Sequence, residues 1–479
     1  MALRNQIKED AATFPDPVKG VNLRASEEDL TPGEARLMQN CVFDSGTKIR
    51  TGSTRLNSST LGAYKILGGH KYYYGGSSPT SKRLIAFNNR ISVLSDAGSE
   101  TNLTTGMTAS KDTHFLTWPI TDKVYICNGT DELREYDGTT FQTVSTVVGS
   151  AQVPGNGANP PARMMAPILD RMMAITTNGI ERTDARVGHI WSKNSSWATL
   201  RPVTPGLFTG ITPFTIRGQD QLYPGIIALQ SSAYHLISGT MFGTDVTAAS
   251  ATNDDASIRL LDSNVGTSSP YSIVSIPGLG LFWFTSDLNV YWLPEGSLVG
   301  HFIGHKLQST NATAGIESTN RTQLGQVWMR YLYPYLMLGV PTGSNAYADT
   351  QFWLDVRAMK EHPDHGPVWY GPMTGQTISR CWDEILNGDR AIMGGEGLST
   401  NGAFVYNLRA VSTFTDAVGA SDVDVSMLYR TVYPSFGYPS RKKYVQGVNA
   451  DIYVPSGTPT CALYDLDGIV AAATNFEAL

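Results

Sequence analysis

The sequence predicts an all-β fold, a β-propeller of six or seven blades with six the leading count. Three observations carry that expectation. Helical periodicity is nearly absent: outside Glu34–Asn40, no long stretch keeps apolar residues at three-to-four spacing. Apolar runs broken by tight polar turns recur along the chain. These units begin roughly 35–60 residues apart, the period of a blade of about four short antiparallel strands. Composition agrees. The 479 residues are 41% hydrophobic and include 47 Gly, 22 Tyr and 9 Trp, as a turn-rich chain with aromatic strand positions would. The alternative, a pair of β-sandwiches, also gives short strands at regular spacing but rarely six or seven such units in a row.

Residues 1–60 read as an N-terminal arm with a lead-in strand. Within it, Glu34–Asn40 is expected to make a short helix with Thr31 available as its cap. Residues 61–410 read as the propeller. "KRLIAFNNRISVLSDAG" (82–98) alternates around Asn88-Asn89, a hairpin signal. "KVYICNGTDELREYDGTTFQTV" (123–144) gives three strands joined by Asn-Gly and Asp-Gly turns. The pattern returns in 168–197 around Asn178-Gly179, in 225–239 around Ser231-Ser232 and in 278–296 around Ser286-Asp287. It recurs in 327–371, which closes on Trp369, and in 391–408. Leu281, Phe282, Trp283 and Phe284 run apolar without alternation, as expected where neighbouring blades cover both faces of a sheet. The Pro- and Gly-rich 149–162 is expected to cross between blades. Residues 411–479 read as a C-terminal β-segment that completes or caps the propeller.

Charge and cysteine usage narrow the function. Charged residues make up 16% of the chain, below the usual proportion of about a quarter. The formal net charge is -6, and the longest basic run, Arg441-Lys442-Lys443, is short, so a general nucleic-acid binder is disfavoured. Cys41, Cys127, Cys381 and Cys461 lie far apart without C-x-x-C spacing, so reduced, mostly buried thiols are expected rather than a disulfide framework or a zinc site. "MALRNQIKED" has no apolar h-region, so no secretory signal is expected.

No catalytic, cofactor or metal constellation emerges, and the chain is expected not to be an enzyme. P-loop, G-x-S-x-G and H-E-x-x-H motifs are missing from the sequence. "HPDH" (362–365) offers two imidazoles, but Pro363 opposes a continuous helix and no third ligand is identifiable. "DLDG" (465–468) lacks the later Glu of a calcium loop. "WSKNSSW" (191–197) has the shape of a sialidase box without its Asp and Gly. Trp283, Trp292, Trp328, Trp353 and Trp369 could floor a sugar site, but core packing is the commoner role for Trp among apolar strand residues.

The stretch "FPDPVKGVNLRASEEDLTPGEARLMQNCVFDSGTKIRTGSTRL" (14–56) resembles the N-terminal signature of bacteriophage tail nozzle and tail-hub β-propeller proteins of short-tailed phages. The matching residues are Gly20, Asn22, Leu30, Pro32, Gly33, Glu34, Ala35, Asn40, Gly46, Arg50 and Gly52. "KRLIAFNNRISVL", "RVGHIWSKNSSWATLRP", "MRYLYPYLMLGVPTG" with "TQFWLDVRA", and "GYPSRKKYVQGVNADI" are similar to later segments of that family. The chain departs from many nozzles in being shorter, nearer the compact hub kind.

The resemblance implies a virion structural protein made in the host cytoplasm. It implies a ring homo-oligomer, usually a hexamer, below the portal and adaptor rings. Such a ring continues the channel through which packaged DNA is held and then ejected, and it bears a tail needle, fibres or tailspikes. No cofactor and no membrane insertion are implied. Pro32, Gly33, Glu34, Asn40, Arg50 and Gly52 become assembly-interface candidates, with Arg50 either docking a partner or making a surface pair with Glu34 or Asp44. Residues before Thr60 are then expected to be dispensable for the propeller itself. The alternative function is a carbohydrate- or receptor-binding, or glycosidase-like, propeller of a phage tail.

Overall fold

The computed structural model describes residues 16–26, 29–75, 80–145, 153–168, 171–183, 200–217, 222–238, 257–309, 315–362, 365–410, 413–430, 461–465 and 468–473. The chain divides into two compact units, Phe14–Tyr433 and Met1–Thr13 with Pro434–Leu479.

The larger unit opens with four short strands: β1 (Leu37–Gln39), β2 (Cys41–Phe43), β3 (Thr47–Ile49) and β4 (Thr54–Arg55). Seven antiparallel blades follow. Blade one is β5 (Ile66–Tyr74), β6 (Thr80–Phe87), β7 (Arg90–Leu94) and β8 (Glu100–Thr104). Blade two is β9 (His114–Trp118), β10 (Lys123–Cys127), β11 (Arg134–Tyr136) and β12 (Phe141–Thr143). Blade three shows β13 (Met164–Ile168), β14 (Arg171–Thr176) and β15 (Gly179–Arg182), with Leu200 bridging Ile180 at its edge. Blade four is β16 (Gly210–Arg217), β17 (Leu222–Leu229), β18 (Tyr234–Ser238) and β19 (Ser257–Asp262). Blade five is β20 (Val274–Ile276), β21 (Gly280–Phe284), β22 (Val290–Pro294) and β23 (His301–Phe302). Blade six is β24 (Trp328–Leu332), β25 (Tyr335–Val340), β26 (Thr350–Asp355) and β27 (Trp369–Met373), with a short helix α1 (Val356–Glu361) between its last two strands. Blade seven takes β28 (Ile378–Leu386), β29 (Asp389–Glu396) and β30 (Val405–Asn407) from its own stretch of chain.

The expected turn at Asn88-Asn89 holds. Asn88 sits at φ 51, the left-handed backbone that lets a two-residue turn join Phe87 to Arg90. The unalternated run is also explained: Leu281, Phe282 and Trp283 are 0% exposed and Phe284 2%. Leu281 and Trp283 pack in a cluster with blade four, and Phe282 and Phe284 in one with blade six. Each sheet is thus apolar on both sides because each side meets a neighbour.

The fourth strand of blade seven is β4, so residues from the N-terminal arm close the ring: Tyr406 pairs with Arg55 and Asn407 with Thr54. Leu56 N–H adds a bond to Val405 carbonyl, and Asn57 bonds the backbone of Ala403 and Val405 through its side chain. The expectation that everything before Thr60 is dispensable for the propeller is therefore corrected. Residues 413–430 instead pack on the arm: β31 (Thr415–Val418) pairs with β32 (Ser421–Asp424), and β33 (Leu428–Arg430) pairs with β1.

The helix expected over Glu34–Asn40 is a second correction. Thr31–Glu34 makes a turn, and Leu37–Gln39 is extended because β33 supplies strand partners from far along the sequence. Tertiary pairing overrides a weak local signal there. In the smaller unit, β34 (Cys461–Asp465) and β35 (Gly468–Ala473) form a hairpin.

Candidate functional site

Two regions gather polar side chains in ways that ordinary blade packing does not need: the arm, and the ring of innermost strands.

The arm lies along blade six and reaches blade seven. Val21 N–H donates to Trp369 carbonyl at 2.7 Å, Leu23 N–H to Lys306 carbonyl at 2.8 Å, and Asn40 N–H to Pro372 carbonyl at 3.0 Å. Arg50 is 5% exposed, so its expected surface pairing with Glu34 or Asp44 is corrected. Its five N–H groups are all used. Nε donates to Asn40 Oδ1 at 3.1 Å, and Nη1 to Thr51 carbonyl at 3.1 Å and Asp416 Oδ1 at 3.0 Å. Nη2 donates to Thr374 carbonyl at 2.8 Å and also to Asp416 Oδ2. This bidentate pair is buried at both ends, and it ties arm, blade six and C-terminal hairpin together.

Glu34 makes a second clip. Its Oε1 lies 3.1 Å from Lys306 Nζ, and its Oε2 accepts from Asn22 Nδ2 at 3.1 Å and from Thr31 N–H at 3.2 Å. Burial pushes its carboxyl up, but those donors outweigh it and hold the group below the ordinary carboxylate value. Asn40 and Gly33 are also buried, both with positive φ. Gly52 is buried where a Cβ would stand 2.0 Å from Thr415 carbonyl oxygen, so no side chain fits. Of the six interface candidates, only Pro32 is exposed. Glu34, Asn40, Arg50 and Gly52 hold the arm to its own chain, and Gly33 is packed within the arm.

The first strands β5, β9, β13, β16, β24 and β28 contact one another from blade to blade around the axis, as do β20 and β24. They approach closely: a Cβ on Gly69 would stand 2.4 Å from the Trp382 ring of blade seven. Ring closure between blades one and seven is braced by a buried ion pair. Arg83 Nε donates to Glu384 Oε2 at 2.8 Å, and both side chains are 0% exposed. Asp96 lies 2.9 Å from Arg83 Nη2 and 2.9 Å from Lys71 Nζ.

Arg330 on β24 and Arg380 on β28 meet Tyr271, Asp112 and Asp383, with His70, whose Nε2 lies 2.5 Å from Thr117 Oγ1, and His114 within electrostatic reach of Asp383 and Arg330. Arg330 Nη1 donates to Tyr271 carbonyl at 3.2 Å, and its Nε lies 3.7 Å from Asp383, beyond hydrogen-bond reach. Asp383 binds Arg390 more closely, at 2.8 Å. The Arg380 guanidinium stacks 4.0 Å above the Tyr271 ring and forms an ion pair with Asp112, to which Gln326 Nε2 also donates at 3.2 Å. Burial holds both imidazoles neutral, His70 down at about 4 and His114 at about 3. For His70 the nearby Asp383 opposes the shift; for His114 the charges of His70 and Arg330 add to it.

Sequence reasoning missed this axial cluster. Its members are isolated polar residues in apolar strands or loops, and only the blade geometry brings them together. His362 and His365 stack at 5.1 Å, and no group of three metal-ligating side chains occurs among the described residues. Trp283, Trp328, Trp353 and Trp369 are buried in the core, as the packing reading expects. Cys41, Cys127 and Cys381 are buried free thiols, with Cys41 pushed up to about 12 by burial. "WSKNSSW" and the basic run at 441–443 lie outside the described residues.

No family model matches the sequence, and no curated protein matches it. Solved structures that resemble the fold include a chain of the mitotic checkpoint complex (10% identity, 69% of this chain and 84% of that chain covered, TM-score 0.41). A chain of BBS1N in complex with ARL6DN covers 76% of this chain and 99% of its own at 8% identity, TM-score 0.43. A chain of YCF48 bound to D1 peptide covers 78% and 98% at 10% identity, TM-score 0.41.

Proposed function

We propose that the protein is a non-enzymatic structural component of a bacteriophage tail. In this reading it forms the nozzle or hub ring below the adaptor, retains packaged DNA and conducts it during ejection. One observation carries the reading. The residues that give 14–56 its resemblance to tail nozzle and hub proteins include those that seat the arm: Glu34 on Lys306, Asn40 and Arg50 on Thr374 and Asp416, and Gly52 against Thr415. The signature thus has a physical purpose, the closure and bracing of a propeller by its own N-terminus.

In a ring of identical copies, heterologous contacts close when the rotation permits. A partner ring that docks on the arm would meet its exposed rim, Thr31, Pro32, Asp44, Ser45 and Lys48, rather than the buried candidates. The net charge of -6 suits a conduit, because Lys and Arg on phosphates are what create affinity for DNA.

The test is mass spectrometry and electron microscopy of tail particles from the phage that encodes the chain. A ring of this protein below the adaptor, six copies in number, is expected. Absence from purified tails would overturn the proposal.

A further inference from the structure

We infer that the outer edge of β32 is a docking edge for an extended segment of another protein, one in which basic residues alternate with apolar ones.

The backbone bonds fix which groups are free. Val425 N–H donates to Phe414 carbonyl at 3.0 Å, so these two form a hydrogen-bonded pair of the β31–β32 ladder. Such pairs alternate with pairs whose backbone groups point away from the ladder. Thr415 stands opposite Asp424, Asp416 opposite Val423 and Ala417 opposite Asp422. The outward-facing residues are therefore Thr415 and Ala417 on one edge, and Asp422 and Asp424 on the other. The first edge is filled: Ser53 N–H donates to Thr415 carbonyl at 3.0 Å, and Gln376 Nε2 to Ala417 carbonyl at 2.7 Å. On the second, the outward N–H and carbonyl groups of Asp422 and Asp424 have no partner among the described residues. The Arg50–Asp416 pair holds β31 to the arm, so this edge is fixed before any partner arrives.

The side chains say what fits. Successive strand residues face opposite sides, so Asp422 and Asp424 share one face and Val423 takes the other. All three are exposed, Val423 at 49%, and Phe414 and Met427 at the open end of the hairpin are 39% and 44% exposed. Arg55 lies 2.6 Å from Asp422, while Asp424 forms no ion pair among the described residues. An antiparallel strand on this edge sets two residues opposite the aspartates and one, between them, opposite Val423. Cross-strand pairs of opposite charge and apolar pairs are favourable, which selects a basic–apolar–basic run. A second copy cannot offer its own β32 edge, because every antiparallel pairing of the two edges sets Asp opposite Asp.

The experiment measures fluorescence anisotropy of a labelled peptide, Thr-Lys-Val-Lys-Val-Thr, against the full-length protein, beside Thr-Glu-Val-Glu-Val-Thr. Saturable binding of the lysine peptide and none of the glutamate peptide is expected. Asp424→Pro removes one outward N–H, which an edge strand tolerates, and should weaken binding about fivefold or more, the scale of one net hydrogen bond. Asp424→Asn keeps that N–H and should narrow the preference for lysine. Should Asp424→Pro fail to fold, a lysine peptide N-methylated at both lysines replaces it and should not bind. No saturable binding of the lysine peptide, equal binding of the two peptides, or undiminished binding after loss of the N–H groups on either side would overturn the inference. A failure here leaves the tail proposal standing, because that proposal rests on the arm.

Discussion

Arg50 and Arg380 are both buried arginines, at 5% and 2% exposure, and the chain treats them differently. Arg50 uses all five of its N–H groups on Asn40, Thr51, Thr374 and Asp416. Arg380 leaves its Nε without a partner among the described residues and leans on a carboxylate that is 33% exposed. Burying a guanidinium is costly unless every donor finds an acceptor. A complete set marks a brace that fixes the fold. An incomplete set marks a place where the fold tolerates a cost.

The largest expected effect breaks the arm side of the comparison outright. Deleting residues 1–56 removes β4, the Arg50 brace and the Glu34 clip together, and leaves blade seven with three strands and an unpaired edge. We expect loss of cooperative thermal unfolding, followed by circular dichroism and calorimetry. A truncated protein that melts as sharply and as high as the intact chain would show that the ring closes without its arm.

Next is the brace itself. Asp416→Ala leaves the Arg50 guanidinium buried without its carboxylate, and the cost of breaking a buried pair is about 3–5 kcal/mol. Arg380→Met should cost less than that, because the Arg380 Nε has no partner among the described residues and its carboxylate, Asp112, is a third exposed and stays hydrated when left alone. Chemical denaturation of both variants gives the comparison directly. Equal destabilisation would erase the distinction between the two arginines.

The axis also sets a pH dependence. His70 and His114 are held neutral in the fold down to about 4 and about 3, while the unfolded chain takes up protons near the ordinary histidine value of 6.5. Their folded values are depressed, so the stability they allow is present above 6.5 and is lost as pH falls toward the folded values. Each contributes a slope of at most about 1.4 kcal/mol per pH unit in that window. Melting temperatures measured from pH 7 to pH 4.5 should fall, and His114→Gln should flatten the fall. An unchanged slope in that variant would place the titrating groups elsewhere.

Much of the fold could be read from the sequence because blade turns are local. Asn88-Asn89 and Ser231-Ser232 announce hairpins through residues a few positions apart. Three features could not be read that way. Blade seven takes its last strand from Thr54–Arg55, far from Asn407 in sequence. Leu37–Gln39 is a strand only because Leu428–Arg430 pairs with it. Arg50 was legible as important, but its partner Asp416 is 366 positions away, and nothing near Arg50 signals it. The axial cluster was illegible for the same reason, since Asp112, Arg330 and Arg380 sit in three different blade repeats.

A last effect sharpens the comparison within the arm. Glu34→Gln keeps an acceptor for Asn22 and Thr31 but removes the charge opposite Lys306, which is 8% exposed and, among the described residues, otherwise bonds Lys19 carbonyl at 3.3 Å. We expect a loss of about 1.5–3 kcal/mol, the scale of one hydrogen bond to a charged group. The sign with pH separates it from the axis. The Glu34 carboxyl is held below its ordinary value of 4.5, so the stability it adds is complete above that value and is lost as pH falls through the lower folded one. Wild type and Glu34→Gln should therefore differ by a constant amount from pH 7 to about 5 and converge in stronger acid. The histidine slope between 6.5 and 4.5 should be the same in both. A variant that instead altered that slope would mean that arm and axis are coupled, and that the brace and the incomplete site belong to one network.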